Sequence, residues 1–239
     1  TVAVMETAFK VLGLLPWTDW AAVAVLFGGW VGYAVFAKRR STLQPSLLDT
    51  TNQIRRHWML QSTYREVRVV DGIVIQSLSS SPSFFASTTI LIIGGLLAVL
   101  GTTEKASELV REIPFAARTS ALVFDLKVAS LTAVFVYAFF RFTWSLRQYS
   151  FGALLVASAP DSEAFERAGD AERERFADRA GGAVGLAAET FNDGLRAYYF
   201  SFAAMGWLFS PWVFMAATLG VVWVLYQREF RSDVLGVLN

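Results

Sequence analysis

Residues 197–227 form an unbroken run of 31 residues without a charge. As a straight helix that run would be about 46 Å long, against roughly 30 Å of hydrocarbon in a bilayer. Three further stretches behave alike. Eighteen uncharged residues separate Asp19 from Lys38, residues 84–101 are almost wholly apolar, and residues 119–140 carry only Asp125 and Lys127. A crossing helix needs about 20 mostly apolar residues. The expected fold is therefore all-α, a polytopic membrane protein forming a single membrane domain over 1–239. It has four transmembrane helices, at about 20–37, 84–101, 119–140 and 198–226. Cytoplasmic connecting helices fill about 38–83 and 141–197.

Composition narrows the chemistry. Charged residues make up 17% of the chain, below the quarter or so usual for soluble domains, and the mean hydropathy is +0.44. With no cysteine, thiolate catalysis, iron–sulfur ligation and thiolate zinc sites are excluded. One histidine, His57, is too few for bis-His haem or an HExxH site. A net charge of +1 gives no electrostatic reason to expect nucleic acid. Phosphate-binding glycine loops are missing. The acids of residues 163–178 alternate with arginines, which is the pattern of intrahelical pairing. No catalytic set, metal or cofactor is expected, and the chain reads as something other than an enzyme.

Within the spans, Trp17, Trp20, Trp30 and Tyr33 are the residue types that settle near headgroups, and Lys38, Arg39 and Arg40 end the first crossing. Starting the third crossing after Lys127 would leave it too short, so it begins near Arg118 or tilts. Asp125 and Lys127 are two apart and face different ways, so each needs its own partner. They either line an ion or proton pathway, or snorkel and pair with a neighbouring helix. Pro211 sits inside the last run and marks a kink and candidate hinge, with Ser210 placed to satisfy the carbonyl it frees. The pairs Gly28-Gly29 and Gly94-Gly95, and the small-xxx-small spacing of Gly28 and Gly32, suggest close helix packing. Fourteen of the 21 basic residues fall in the two long connections. That places the connections in the cytoplasm and both termini outside. The first 15 residues hold too short an apolar run for a fifth span and lack a cleavable signal pattern.

Residues 49–70 read as one helix with basic residues all round its axis, unlike a surface-lying amphipathic helix. Beyond it, residues 67–75 are rich in β-branched types around an Asp71-Gly72 turn signal, and 77–83 (SLSSSPS) reads as a breaker. In the second connection Ser162 is the expected N-cap, and Gly181-Gly182 the expected helix end. Phe165, Phe176, Ala168 and Ala180 share one face. A further helix then runs from Leu186 through Phe191, Leu195, Tyr199 and Phe202 into the last span. The first connection is net positive and the second net negative, which suggests docking between them or onto neighbouring copies. Arg141, Trp144, Arg147, Tyr149, Asn192, Arg196, Tyr198 and Tyr199 form a candidate cluster for lipid headgroups or for packing.

The segments FFRFTWSLRQYSFGALLVASAP and AETFNDGLRAYYFSFAAMGWLFSPWVFMAATLGVVWVLYQREFRS, with WVGYAVF, NQIRRHWM and SFFASTTILIIGGLLAVLG, resemble one family. It is the membrane-protein family known as domain of unknown function 599, and the likeness covers about residues 17–233. The resemblance implies about four spans and a bacterial inner membrane, with no reaction, substrate or cofactor. Its motif positions fall on Arg56, Trp58, Arg147, Tyr149, Asn192, Arg196, Tyr198, Tyr199, Arg228, Glu229 and Arg231. Ser150 departs from the pattern, which has asparagine there. The functional expectation is a non-catalytic integral membrane protein in the lipid bilayer, a homo-oligomer or an accessory subunit of a larger complex. An oligomeric transporter or channel is the alternative, and a lipid-headgroup enzyme built on the Arg/Tyr cluster comes third.

Overall fold

The computed structural model describes residues 13, 15–41, 44, 46–103, 108 and 120–238. Among them the regular elements are all helices, without strands. The elements are α1 (Trp17–Ser41), α2 (Leu47–Ser62), α3 (Val69–Gly101), α4 (Ala121–Ala157), α5 (Ser162–Ala168), α6 (Asp170–Met205), a 3-10 turn (Gly206–Leu208), α7 (Pro211–Phe230) and α8 (Asp233–Leu238). Three helices, α1, α3 and α4, are long and apolar enough to cross a bilayer. The expected crossings at 20–37 and 84–101 lie inside α1 and α3. The third matches α4 from Ala121 onward; Ser120 precedes the helix, its hydroxyl accepting from the Val123 N–H at 3.3 Å, and the expected start at Arg118–Thr119 falls outside the described residues.

The fourth expected helix is broken. Helix α6 stops at Met205, the 3-10 turn follows, and α7 starts at Pro211. The interruption is centred on Gly206, whose carbonyl accepts from the N–H groups of both Phe209 and Ser210, at 3.1 Å each. Pro211 therefore starts a helix, where its missing N–H costs nothing, rather than kinking one. Ser210 does not reach back to a freed carbonyl; its hydroxyl caps α7 by accepting from the Val213 N–H at 3.1 Å.

Four further expectations are corrected. Residues 49–70 are not one helix, because α2 ends at Ser62 in a turn and α3 begins at Val69. The serine run does not break α3. Ser79 and Ser80 return their hydroxyls to the Gln76 and Ser77 carbonyls (2.8 and 2.7 Å), so the hydroxyls are satisfied on the helix itself. Gly181-Gly182 does not end a helix either, since α6 runs through both. The break in that connection falls at Gly169, whose φ of +84° is a conformation that glycine adopts without a Cβ clash. The N-cap of α5 is Asp161, accepting from the Ala164 N–H at 2.7 Å, and Ser162 is the first helical residue.

Two compact units make up the chain. Unit one takes its residues from Thr1–Arg40, Leu91–Val136 and Ala197–Tyr226. Its interior holds Leu26, Tyr33, Phe135, Phe200, Trp207 and Phe214. Trp30 stacks on Phe200 with ring centroids 5.3 Å apart. Trp30 and Tyr33 are thus packing residues, whereas Trp17 is exposed as a headgroup anchor would be.

Unit two takes Ser41–Ile90, Tyr137–Arg196 and Gln227–Asn239. Its core joins Met59, Ile75, Tyr149, Val156, Phe165, Phe176, Ala177, Ala180, Val184 and Ala187. Phe165 meets Phe176 at 5.5 Å, across the Gly169 break rather than along one helix face, and Ala168 is exposed. A Cβ on Gly181 would lie 2.9 Å from the Arg56 Cα, and one on Gly185 3.0 Å from the Asn52 Oδ1. These two glycines, four apart, are where α2 lies against α6, which is why the run continues as helix.

Candidate functional site

In unit one, Lys127 is buried and has the partner its position demands. Its Nζ donates to the Trp207 carbonyl at 2.8 Å and lies 3.7 Å from the Asp19 Oδ1. The Trp207 indole N–H donates to the same Asp19 oxygen. Three features of the backbone converge here: the first turn of α1, the early part of α4, and the 3-10 turn. Trp207 O lies in the stretch where the helical ladder lapses, so the lysine takes a carbonyl from an interrupted helix. Asp125 is only half-buried and accepts from the Thr103 hydroxyl at 2.6 Å. Asp125 and Lys127 are thus separately partnered, as their spacing required. Sequence placed Asp19 only at the edge of the first span and did not link it to Lys127.

In unit two, Arg141 and Arg196 share one carboxylate, Asp193. Arg141 bonds it directly, and Arg196 approaches it at 3.3 Å. Asn192, next to it on α6, accepts from the Arg228 Nη2 at 3.2 Å. Asp193 was not singled out from sequence, although its position three residues before Arg196 is a pairing spacing. Glu229 is buried, and its Oε1 accepts from the Leu48 N–H at 3.3 Å, in the first turn of α2, where helical N–H groups lack partners. Arg231 is exposed just beyond α7.

Tyr149 is buried in the unit-two core near Arg55. Arg55 donates to the Thr51 hydroxyl and the Asn52 carbonyl oxygen at 3.0 and 2.8 Å. Burial lowers the Arg55 pKa, with Tyr149 opposing. Tyr198 and Tyr199 fall in unit one, where the Tyr198 ring meets Phe135 edge-on at 5.2 Å. The eight-residue candidate cluster is therefore divided between the two units. At the departing position, the Ser150 hydroxyl turns back to the Leu146 carbonyl at 3.0 Å.

The two connections meet inside unit two. Arg56 pairs with Asp178 at the surface, and that hydrogen bond and charge raise the Arg56 pKa. The deeper link is Arg173 of α6, which is 3% exposed. Its Nη1 donates to the Thr63 carbonyl at 2.7 Å, and its guanidinium lies 4.0 Å from the centre of the Tyr64 ring. Arg68 donates across in the other direction, to the Ala159 and Pro160 carbonyls at 3.3 and 2.7 Å. Opposite net charges predicted the docking, but carbonyls, rings and glycine contacts supply most of it.

Asp71, fully buried, accepts from the Trp58 indole at 2.7 Å and pairs with Arg65 through the same oxygen. Its other oxygen, Oδ2, is buried with no hydrogen-bond partner among the described residues. His57 is exposed on α2. Among the described residues no group of His, Asp and Glu is arranged to hold a metal ion.

The class these features define is an all-helical chain with three helices long and apolar enough to cross a bilayer, the make-up of a membrane protein. The chain belongs to the family described as "Protein of unknown function, DUF599", whose model matches residues 21–234. No curated protein and no solved structure matches it.

Proposed function

We propose that the chain is a non-catalytic integral membrane protein that works as part of an assembly, as a homo-oligomer or an accessory subunit. The observation that carries this reading is how the candidate residues are used. Lys127, Arg141, Arg228, Glu229, Arg56 and Trp58 each hold one stretch of this chain to another through a side-chain or backbone partner. Groups arranged to react with a substrate need access to it, and these are committed to the chain itself. Meanwhile Gly28 and Gly32 have nothing within 4 Å of where a Cβ would stand. They border an apolar groove of about 490 Å³ with Tyr33, Phe36, Leu219 and Trp223. In a bilayer such small-residue faces favour helix association.

In this reading residues 198–226 enter the bilayer and return at the break, the connections face the cytoplasm of a bacterial inner membrane, the C-terminal end lies with them because Glu229 and α8 pack on α2, and the N-terminus lies outside. The chain has no cysteine, so single introduced cysteines report topology without background. Val237→Cys and Glu163→Cys should both react with a membrane-impermeant maleimide only after permeabilisation, and labelling of either in intact cells would overturn this orientation. Native mass spectrometry in mild detergent tests the assembly. An oligomer or a stoichiometric partner is expected, and a strict monomer with no co-purifying protein would sink the proposal.

One observation favours an ion or proton path instead, namely the buried Asp19–Lys127 pair beside the interrupted helix. Liposome flux that falls in Lys127→Met and in Asp125→Asn would support that path, and unchanged flux in both would remove it.

A further inference from the structure

Helix α4 carries a groove of about 540 Å³ lined by Tyr137, Phe140, Arg141, Thr143, Trp144 and Arg147, and among the described residues no acidic side chain lines it. We propose that this groove binds the phosphodiester headgroup of an anionic phospholipid, with the first acyl carbons against its aromatic end.

The groove follows one face of the helix at spacings of three and four, so its residues form a continuous stripe about 15 Å long. Along the stripe the chemistry changes. Tyr137, Phe140 and Trp144 are exposed aromatics, a surface for acyl chains and the glycerol region. Arg141 and Arg147 supply charge at and beyond that level. Arg141 is paired with the Asp193 carboxylate, so its charge is already met. Arg147 is exposed and has no hydrogen bond or ion pair among the described residues. The local balance is therefore positive, and the group free to bind is a planar guanidinium, which matches phosphate oxygens two at a time.

The position fits as well. Helix α4 has 37 residues, about 56 Å of rod, so it outruns the hydrocarbon. The 13 uncharged residues 128–140 lead straight up to the first guanidinium, the order in which an acyl chain and its headgroup lie. Basic side chains at that depth attract anionic lipid.

The inference rests on α4 crossing the bilayer, not on the assembly reading. The test uses the full chain in a neutral detergent, with phosphatidylglycerol, phosphatidylcholine or inorganic phosphate added, and reads thermal midpoint and bound lipid by native mass spectrometry. Phosphatidylglycerol should raise the midpoint and remain bound, and the other two should do neither. Arg147→Ala should keep the ligand-free midpoint and bind phosphatidylglycerol about fivefold more weakly, with Arg147→Lys recovering part of the loss. Equal retention of phosphatidylcholine, or an equal effect of inorganic phosphate, would overturn the proposal, as would undiminished binding by Arg147→Ala. If Arg147→Ala changes the oligomeric state with lipid binding intact, the groove belongs to a second copy. A monomer that still retains phosphatidylglycerol refutes the assembly reading and leaves this site standing.

Discussion

Two glycine pairs of identical spacing, Gly28/Gly32 in unit one and Gly181/Gly185 in unit two, have opposite surroundings. The first faces open space, and the second has the backbone and side chains of α2 pressed against it. Sequence favours the first as a packing motif, because it lies in an apolar helix, and reads Gly181 with Gly182 as a stop, because they follow a charged helix. The deciding variable is what lies opposite, and that is a long-range fact. Spacing identifies a surface that allows close approach; it does not say whether this chain fills it.

The buried cations divide the same way. In unit one Lys127 lies beside a carboxylate and a carbonyl. In unit two the partners of the buried Arg173 among the described residues are neutral oxygens and aromatic faces, those of Thr63, Ser162, Tyr64 and Phe165. A lysine is a compact charge best met by an opposite charge. An arginine spreads its charge over a plane that rings and several carbonyls can share. Substituting either residue tests whether those two arrangements differ in kind.

The largest effect is expected at Lys127. Lys127→Met leaves the Asp19 carboxylate buried with only the indole donor, and should cost about 3–5 kcal/mol, read as a fall in the unfolding midpoint in detergent. The double variant Asp19→Asn with Lys127→Met should recover much of that loss, because it removes both charges. If the double variant is as unstable as Lys127→Met, charge pairing is not what Asp19 contributes.

Next comes Gly181→Ala, whose new methyl would meet the Arg56 backbone. It should destabilise by about 1–3 kcal/mol. Gly94→Ala, with nothing within 4 Å, should be neutral or gain up to about 1 kcal/mol through helix propensity. Measuring both by the same unfolding midpoint sharpens the contrast, and equal effects would erase it. The smallest change is expected for Arg56→Ala at the exposed Asp178 pair. Its midpoint should stay within error of the parent in high salt, since exposed pairs are screened.

The family, the helical class and three long apolar helices were legible because each is written in local composition. Residues 20–37 and 84–101 lie within α1 and α3 because apolar length alone dictates them. The break at 206–210 was misplaced onto Pro211, the residue that catches the eye, when the turn is built around the Gly206 carbonyl. The serine run was misread because the hydroxyl-to-carbonyl bonds that let Ser79 and Ser80 remain helical look, in sequence, the same as those that favour turns. The need for a partner at Lys127 was legible, but Asp19, over a hundred residues away, was not. Asp193 was hidden by its neighbours, since the arginines on either side of the fold drew attention and their shared acid did not.

The Arg173 clamp has one more consequence. Its grip on the Thr63 and Ser162 carbonyls and on the ring faces of Tyr64 and Phe165 ties the end of α2 to the start of α5 through one side chain of α6. Buried and met by neutral groups, this contact is shielded from the ions that screen the exposed Arg56–Asp178 pair. The joint between the two connections therefore holds at salt concentrations where its surface pair has faded, a bolt beneath a clasp.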